Sequence, residues 1–319
     1  MIYKILLVGA GNIGIRHLQG LLTSSLKLNI TVVDTSEISI KKAQSILKEK
    51  IITKNSLQID WKREIPKDVK FFDLAIISTS SKSRGNLIHN INKVAIINYW
   101  LIEKVLAQSK FELNLIKIET SKSKGVWINT PRRMMSMYQT LKSKFSDKNI
   151  LRFKMIGGLW GMACNAIHFI DLVSWWTNES LSSIDTSKVN KEWIKSKRLG
   201  YFEITGDLIV KFSLGTELIL RSHPVKRENI IEVEFNDREF LYINESKNIF
   251  THNMNNVSCK NFELQSQMTG PLVTKILKDG KCNLPELKQS IEHHEVLLDV
   301  LLDHWNNSNN LEDKKVPIT

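Results

Sequence analysis

The stretch Val8-Gly9-Ala10-Gly11-Asn12-Ile13-Gly14 constrains this chain most, because it joins an apolar strand, Ile5 to Val8, to the start of a helix. At such a junction Gly9 permits a tight turn, Gly11 lets a pyrophosphate approach the backbone, and Gly14 lets the helix pack closely on the strand. Asn12 and Ile13 open the helix, where unpaired N–H groups and the positive end of the dipole favour an anion. The glycine pattern alone is weak evidence, so the residues that follow decide its meaning. A second apolar strand, Asn29 to Val33, ends at Asp34, about 20 positions after the last glycine. An acid there accepts hydrogen bonds from an adenosine ribose and repels a 2′-phosphate. The expected ligand is therefore a dinucleotide, with NAD preferred over NADP. Thr35 and Ser36, where an NADP site would carry an arginine, agree. The competing reading is a tight turn with no ligand.

With 319 residues the chain has room for two domains. Hydrophobic residues make up 42% and charged residues 24%, which excludes a disordered chain. The net charge of +12 raises the question of a nucleic-acid partner. The basic residues are scattered in short groups such as Lys41-Lys42 and Lys195 to Arg198, outside any nucleic-acid module, so none is expected. The apolar stretch Gly157 to Trp176 is nearly long enough to span a bilayer, but Asn165, His168 and Asp171 lie within it, so no membrane span is expected. Cys164, Cys259 and Cys282 make neither a metal-ligand pair nor a complete disulfide framework. The first strand follows Met1 almost directly, and a cytosolic protein with reduced thiols is expected. No metal site is expected; His293, His294 and His304 read as surface or cap residues.

Along the chain, Glu37 to Lys50 reads as an amphipathic helix and Phe71 to Ile77 as a buried parallel strand. That strand ends at Ser78 and Thr79, placing a hydroxyl-rich loop at the carboxyl edge where ligands bind in a doubly wound sheet. The same residues also suit a helix cap. A helix over Asn86 to Asn92, a strand over Val94 to Ile97, a helix over Ala107 to Ile116 and a strand over Gly125 to Asn129 follow. The parallel pattern then fades, which puts a domain boundary after Asn129: residues 1–129 form a dinucleotide-binding domain and 130–319 a second one. In the second, Pro131 to Lys144 reads as one helix, Leu151 to Met155 as a strand ending at Gly157-Gly158, and Cys164 to Trp176 as a helix stacking Cys164, His168 and Asp171 on one side. Short alternating strands from Tyr201 to Phe250 predict an antiparallel sheet, and Pro285 to Trp305 a long amphipathic helix. The fold class is therefore α/β, an N-terminal Rossmann domain followed by an α/β domain with a large, mainly antiparallel open sheet. Arg132 and Arg133, at the start of the second domain, suit a substrate carboxylate or phosphate held by bidentate contacts; solvated arginines at a helix start are the alternative.

In its glycine stretch with the Arg16-His17 extension, in Glu103-Lys104, in Gly157-Gly158 followed by His168-x-x-Asp171, and in the closing Leu284-Pro285 helix, the sequence resembles the glucose-fructose oxidoreductase and inositol dehydrogenase (Gfo/Idh/MocA) family over nearly its whole length. The resemblance implies NAD(P)-dependent hydride transfer at a hydroxyl or carbonyl carbon of a sugar or sugar derivative, in a site between the domains, and often a homo-oligomer, dimer or tetramer. It implies that Lys104 and His168 are the acid/base residues and places Glu103 beside the cofactor. Such chemistry needs a group within hydrogen-bond reach that takes the hydroxyl proton, and either residue type serves. Without the resemblance, Lys104 reads as a surface lysine and His168 as a core histidine. Asn165 and Asp171 join Arg132 and Arg133 as substrate candidates, with sugars, acidic sugars or nucleotide-sugars as the class and bacterial surface-sugar pathways as the setting. Two positions depart from the family: Val105 stands where a proline is common after Glu-Lys, and Cys164 where an aspartate is common four residues before the histidine. These departures favour, as the alternative, a catalytically silent NAD-binding regulator or partner subunit.

Overall fold

The computed structural model describes residues 1–52, 57–253, 255–258 and 262–319; Cys259 lies outside them. The chain divides into two compact units. The first is built on six strands, β1 (Ile2–Val8), β2 (Lys27–Val33), β3 (Leu57–Lys62), β4 (Phe71–Ile77), β5 (Ile96–Glu103) and β6 (Gly125–Asn129), with helices α1 (Asn12–Leu21), α2 (Glu37–Ile52), α3 (Arg84–Asn92) and α4 (Lys110–Glu119) between them. All strand pairs are parallel and the order is β3-β2-β1-β4-β5-β6, the doubly wound arrangement whose ligand crevice lies at the carboxyl ends of the strands. The apolar runs make this sheet: Ile5, Leu6, Leu7, Leu74, Ala75, Ile76 and Ile77 are fully buried, as strands covered on both faces must be.

The second unit opens with a 3-10 turn (Pro131–Met134), then α5 (Ser136–Lys144), β7 (Ile150–Gly158) and α6 (Met162–Thr177). There follow β8 (Leu181–Val189), the short β9 (Ile194–Lys195) and β10 (Phe202–Glu203), β11 (Gly206–Phe212), β12 (Glu217–His223), β13 (Arg227–Phe235), β14 (Phe240–Asn244), β15 (Ile249–His252) and β16 (Asn255–Ser258). Two helices close the chain, α7 (Gln265–Asp279) and α8 (Leu287–Asn309). The eight-stranded sheet runs β16-β15-β14-β13-β7-β12-β11-β8 and is antiparallel except for the β7–β12 pair. One face buries Phe153, Met155, Leu218, Leu220, Val233 and Leu241, following the two-residue period of the sequence. None of the described helices is long and apolar enough to cross a membrane.

Several elements differ from expectation. The strand expected over Val94 to Ile97 runs instead from Ile96 to Glu103, because Ala95 and Val94 close the turn after α3 through N–H bonds to Ile91. The single helix expected from Pro131 to Lys144 is broken at Met135, whose extended backbone (φ −63°, ψ 130°) separates the 3-10 turn from α5. His293 and His294, expected at the surface, are 3% and 0% exposed inside the second unit. Residues 263–287, in the stretch expected to belong wholly to the second domain, group with the first unit. The reason is steric: a Cβ on Gly20 of α1 would stand 2.6 Å from the Thr269 Cβ, and one on Gly270 of α7 would stand 2.6 Å from the Gly20 carbonyl oxygen. Small residues on both helices let α7 lie directly against α1.

Candidate active site

In the first unit the cradle begins where β1 gives way to Gly9, whose φ of +101° turns the chain towards α1. Gly9 donates its N–H to Val33 at 2.8 Å, and the Ser78 hydroxyl donates to the carbonyls of Val8 (2.9 Å) and Gly9 (2.7 Å), so the ends of β1, β2 and β4 are tied together. A Cβ on Gly14 would meet the Gly9 carbonyl oxygen at 1.9 Å, whereas one on Gly11 has nothing within 4 Å. Gly11 is thus open towards an approaching ligand at the start of α1, where no side chain caps the helix. Asp34 is held by two backbone N–H groups, Ala10 to Oδ2 at 2.7 Å and Ser36 to Oδ1 at 2.8 Å, and each oxygen keeps a further lone pair. Asn12 accepts from the Lys42 ammonium at 3.2 Å, and Ile13 is half-buried in the first turn.

A cavity of about 300 Å³ adjoins this turn, lined by Gly9, Asp34, Arg63, Ile65, Thr79 and Leu87 among others. The Thr79 hydroxyl oxygen is buried with no hydrogen-bond partner among the described residues. Open space at Gly11 and an oriented acid at Asp34 fit a dinucleotide.

Lys104 is half-buried just beyond the carboxyl end of β5, and the Lys104–Val105 peptide is cis. Glu103 beside it is 7% exposed and turned inward. Its carboxylate accepts from His17 Nε2 at 2.9 Å and from the Asn129 amide, while His17 Nδ1 meets the Thr269 hydroxyl at 3.0 Å and Asn129 also donates to Gln265 at 2.9 Å. Burial pushes the Glu103 carboxyl up, but the His17 bond and charge, the Asn129 bond and the Lys104 charge together bring it below its ordinary value. Glu103, expected among the cofactor contacts, therefore has its carboxylate in a network that joins α1, β5, β6 and α7. The sequence offered both ends of this bond, in the Arg16-His17 extension and Glu103-Lys104, without showing that they meet.

In the second unit Gly161 (φ +74°) opens α6. The Glu203 carboxylate, not singled out by the sequence, accepts the N–H groups of Ala163 (2.8 Å) and Cys164 (3.4 Å). Its only mark in the sequence is a lone acid in a short apolar strand. The Cys164 thiol points back to the Gly161 carbonyl at 3.4 Å, and Asn165 donates to the Trp160 carbonyl at 3.0 Å. His168 follows one turn later, half-buried. Asp171 is 2% exposed and accepts from Thr130 and Arg133, both at 2.8 Å; Arg133 donates also to Gln289 at 3.0 Å. Burial raises the Asp171 carboxyl to about 6 against the opposing pull of Arg133 and Thr130, and burial with the Arg133 charge lowers His293 to about 4. Arg132 instead makes a bidentate pair with Glu245 (2.8 and 2.9 Å), which the Tyr138 hydroxyl joins at 2.6 Å, and its guanidinium stacks 4.3 Å over the Phe169 ring. Arg132 and Arg133 face different carboxylates of the chain itself.

Comparison with solved structures gives matches along nearly the whole chain. Myo-inositol 2-dehydrogenase from Lactobacillus plantarum is 16% identical with 100% of both chains covered and a TM-score of 0.68. An oxidoreductase from Agrobacterium radiobacter, solved with NAD+, L-tartaric acid and magnesium, is 11% identical over 96% of both chains, with a TM-score of 0.72. This chain has their fold. UDP-N-acetylglucosamine 3-dehydrogenase from Acidithiobacillus ferrooxidans is similar at 11% identity, covering 94% of this chain and 97% of its own, with a TM-score of 0.68. No family model matches the sequence, and neither does any curated protein. A shared fold at such identities carries the architecture of a Rossmann unit and an open sheet; the chemistry has to be argued from the residues.

Proposed function

We propose that this protein is an NAD-dependent oxidoreductase that moves hydride between the nicotinamide and a hydroxyl or carbonyl carbon of a sugar or sugar derivative. The observation that carries this reading is the first unit's cradle, where open space at Gly11 and the fixed Asp34 carboxylate frame one turn, and Gly9, Asp34 and Thr79 line the cavity beside it. The bound nicotinamide supplies the hydride acceptor or donor. Gly11, Asn12 and Ile13 would present N–H groups to the pyrophosphate, and Asp34 would accept from the adenosine ribose, which favours NAD over NADP. Lys104, carried at the carboxyl end of β5, would take the hydroxyl proton as hydride leaves and return it in the reverse direction; His168 on α6 is the second candidate. Asn165 and Arg132 would contact substrate from the second unit, and Asp171 would act through Arg133. The dehydrogenase names of the solved relatives support a sugar, cyclitol or nucleotide-sugar substrate. A cytoplasmic homo-oligomer belongs to the same proposal.

The test is to bind NAD+ and NADP+ to the purified protein, then to challenge the NAD-loaded protein with sugars, acidic sugars and nucleotide-sugars while following reduced nicotinamide by absorbance. Turnover with one class, abolished in Lys104→Ala or His168→Ala, supports the reading; failure to bind either dinucleotide overturns it. A second reading, an NAD-binding subunit without turnover, is favoured by the Cys164 thiol, which donates to a backbone carbonyl and supplies no carboxylate. Turnover gained in Cys164→Asp would point to a weakened enzyme. Tight NAD+ binding with no turnover in either form would point to the silent subunit.

A further inference from the structure

Arg84 is the first residue of α3 and is 1% exposed, among the largest fully buried side chains. Its guanidinium donates through Nη1 to the carbonyls of Glu103 (2.6 Å), Leu106 (3.0 Å) and Val105, and through Nη2 to the carbonyl of Thr79 (2.6 Å). Three of these acceptors flank Lys104 on both sides, and the fourth belongs to Thr79, which lines the cavity beside Gly9 and Asp34. A planar fork with five N–H donors and a permanent charge can span two strand ends in this way, and carbonyl dipoles around it compensate the buried charge. A lysine, with its donors on a single atom, cannot reach both ends at once.

We propose that Arg84 is the positioning residue of the Lys104 turn. By gripping the carbonyls of residues 103, 105 and 106 it sets where the Lys104 side chain leaves the backbone. By gripping Thr79 it locks that turn to the loop that faces the dinucleotide. The ends of β4 and β5 then hold the cavity loop and the Lys104 backbone in one fixed geometry, as proton transfer requires. This inference rests on the reading of Lys104 as the proton-transfer residue of a dinucleotide enzyme.

The experiment compares wild type with Arg84→Ala and Arg84→Lys in the full chain, using NAD+ as the probe and competitive acetylation of lysines read by mass spectrometry. Both variants should bind NAD+ about tenfold more weakly. The rate and pH profile of Lys104 acetylation should shift several-fold, while those of Lys117, Lys188 and Lys278 stay unchanged. Guanidinium ion added to Arg84→Ala should restore part of the NAD+ affinity and the wild-type Lys104 profile, and should not alter wild type. A fold that is only loosened would change many lysines together and would not respond specifically to guanidinium. If Arg84→Ala does not fold, Arg84→Lys carries the same comparison. Unchanged NAD+ affinity and an unchanged Lys104 profile in a folded Arg84→Lys or Arg84→Ala protein would overturn the proposal while leaving the dinucleotide reading intact. A wild-type protein that binds no NAD+ would overturn both.

Discussion

The two units build their candidate sites from different materials. In the first, polar side chains grip the backbone: Ser78 holds the carbonyls of Val8 and Gly9, Arg84 those around Lys104, and Asp34 the amides of Ala10 and Ser36. In the second, charged side chains grip one another, Arg133 with Asp171 and Arg132 with Glu245. Backbone bracing suits a site that receives a constant ligand, because it fixes the peptide path and leaves N–H groups to the ligand. Side-chain pairing suits a pocket whose shape and charge are set residue by residue, because a single substitution changes both without moving a strand.

The largest effect expected from this contrast is at Asp171. Replacing it with alanine leaves the Arg133 charge buried against the low-lying His293, and a loss of about 3–5 kcal/mol in urea unfolding is expected. Arg133→Met combined with Asp171→Leu should recover most of that loss, since apolar groups of similar volume satisfy a buried site as well as a charge pair does. If the double variant stays as unstable as Asp171→Ala alone, the pair is doing something that packing cannot replace.

In the first unit the corresponding test separates geometry from ligand contact. Gly14→Ala drives a methyl into the Gly9 carbonyl 1.9 Å away, and should cost about 3 kcal/mol as well as NAD+ binding. Gly11→Ala, with nothing within 4 Å, should leave stability within about 0.5 kcal/mol and still weaken NAD+ binding. Calorimetric titration and thermal unfolding of the two variants read both quantities. Equal stability losses in the two would mean that the open space at Gly11 is not open in solution.

Acid titration sharpens the contrast further. Asp171 holds its proton more tightly when folded, near 6 against an ordinary 3.8. The stability it contributes is full below about 3.8 and is lost as pH rises through about 6. His293 behaves oppositely, near 4 against an ordinary 6.5. Its contribution is full above 6.5 and is lost as pH falls through about 4. Between pH 4 and 6 the two slopes oppose each other, so wild type should vary little through these groups. His293→Gln should become more stable as pH falls through that window, and Asp171→Asn less stable, each by up to about 3 kcal/mol. Unfolding free energies at three pH values check the signs, and parallel slopes in the two variants would contradict the assignment.

The first unit's site was far more legible in sequence than the second's, and for a physical reason. A glycine turn, an acid at the end of the next strand and a hydroxyl-rich loop act through local backbone, so spacing along the chain reveals them. Arg84 was missed because its partners, Thr79 and residues 103, 105 and 106, are carbonyls, which no residue type advertises. Glu203 meets the N-terminus of α6 from 39 residues away, and Glu245 meets Arg132 from 113 residues away, so nothing local to either end marks them. The antiparallel sheet was readable from its alternation. The placement of α7 was not, since its tie to α1 depends on Gly20 and Gly270 being small at the same place.

The smallest expected effect concerns the same charge chemistry at lower burial. On the outward face of the second sheet Arg152 bridges Glu217 at 3.0 Å and Glu234 at 3.1 Å, and Lys154 pairs with Glu232 at 3.4 Å. The Arg152 side chain is 42% exposed, whereas those of Arg133 and Asp171 are 7% and 2% exposed. Solvent screens such a ladder, so Arg152→Ala should cost about 0.5 kcal/mol and less at high salt. The comparison with Asp171→Ala then isolates burial as the variable, because both pairs sit in one unit and both are arginine–carboxylate bonds. A loss above about 2 kcal/mol that also depends on protein concentration would mean that a second copy covers this face in solution. The ladder would then belong with the buried pairs, and the exposed sheet would be the oligomer contact.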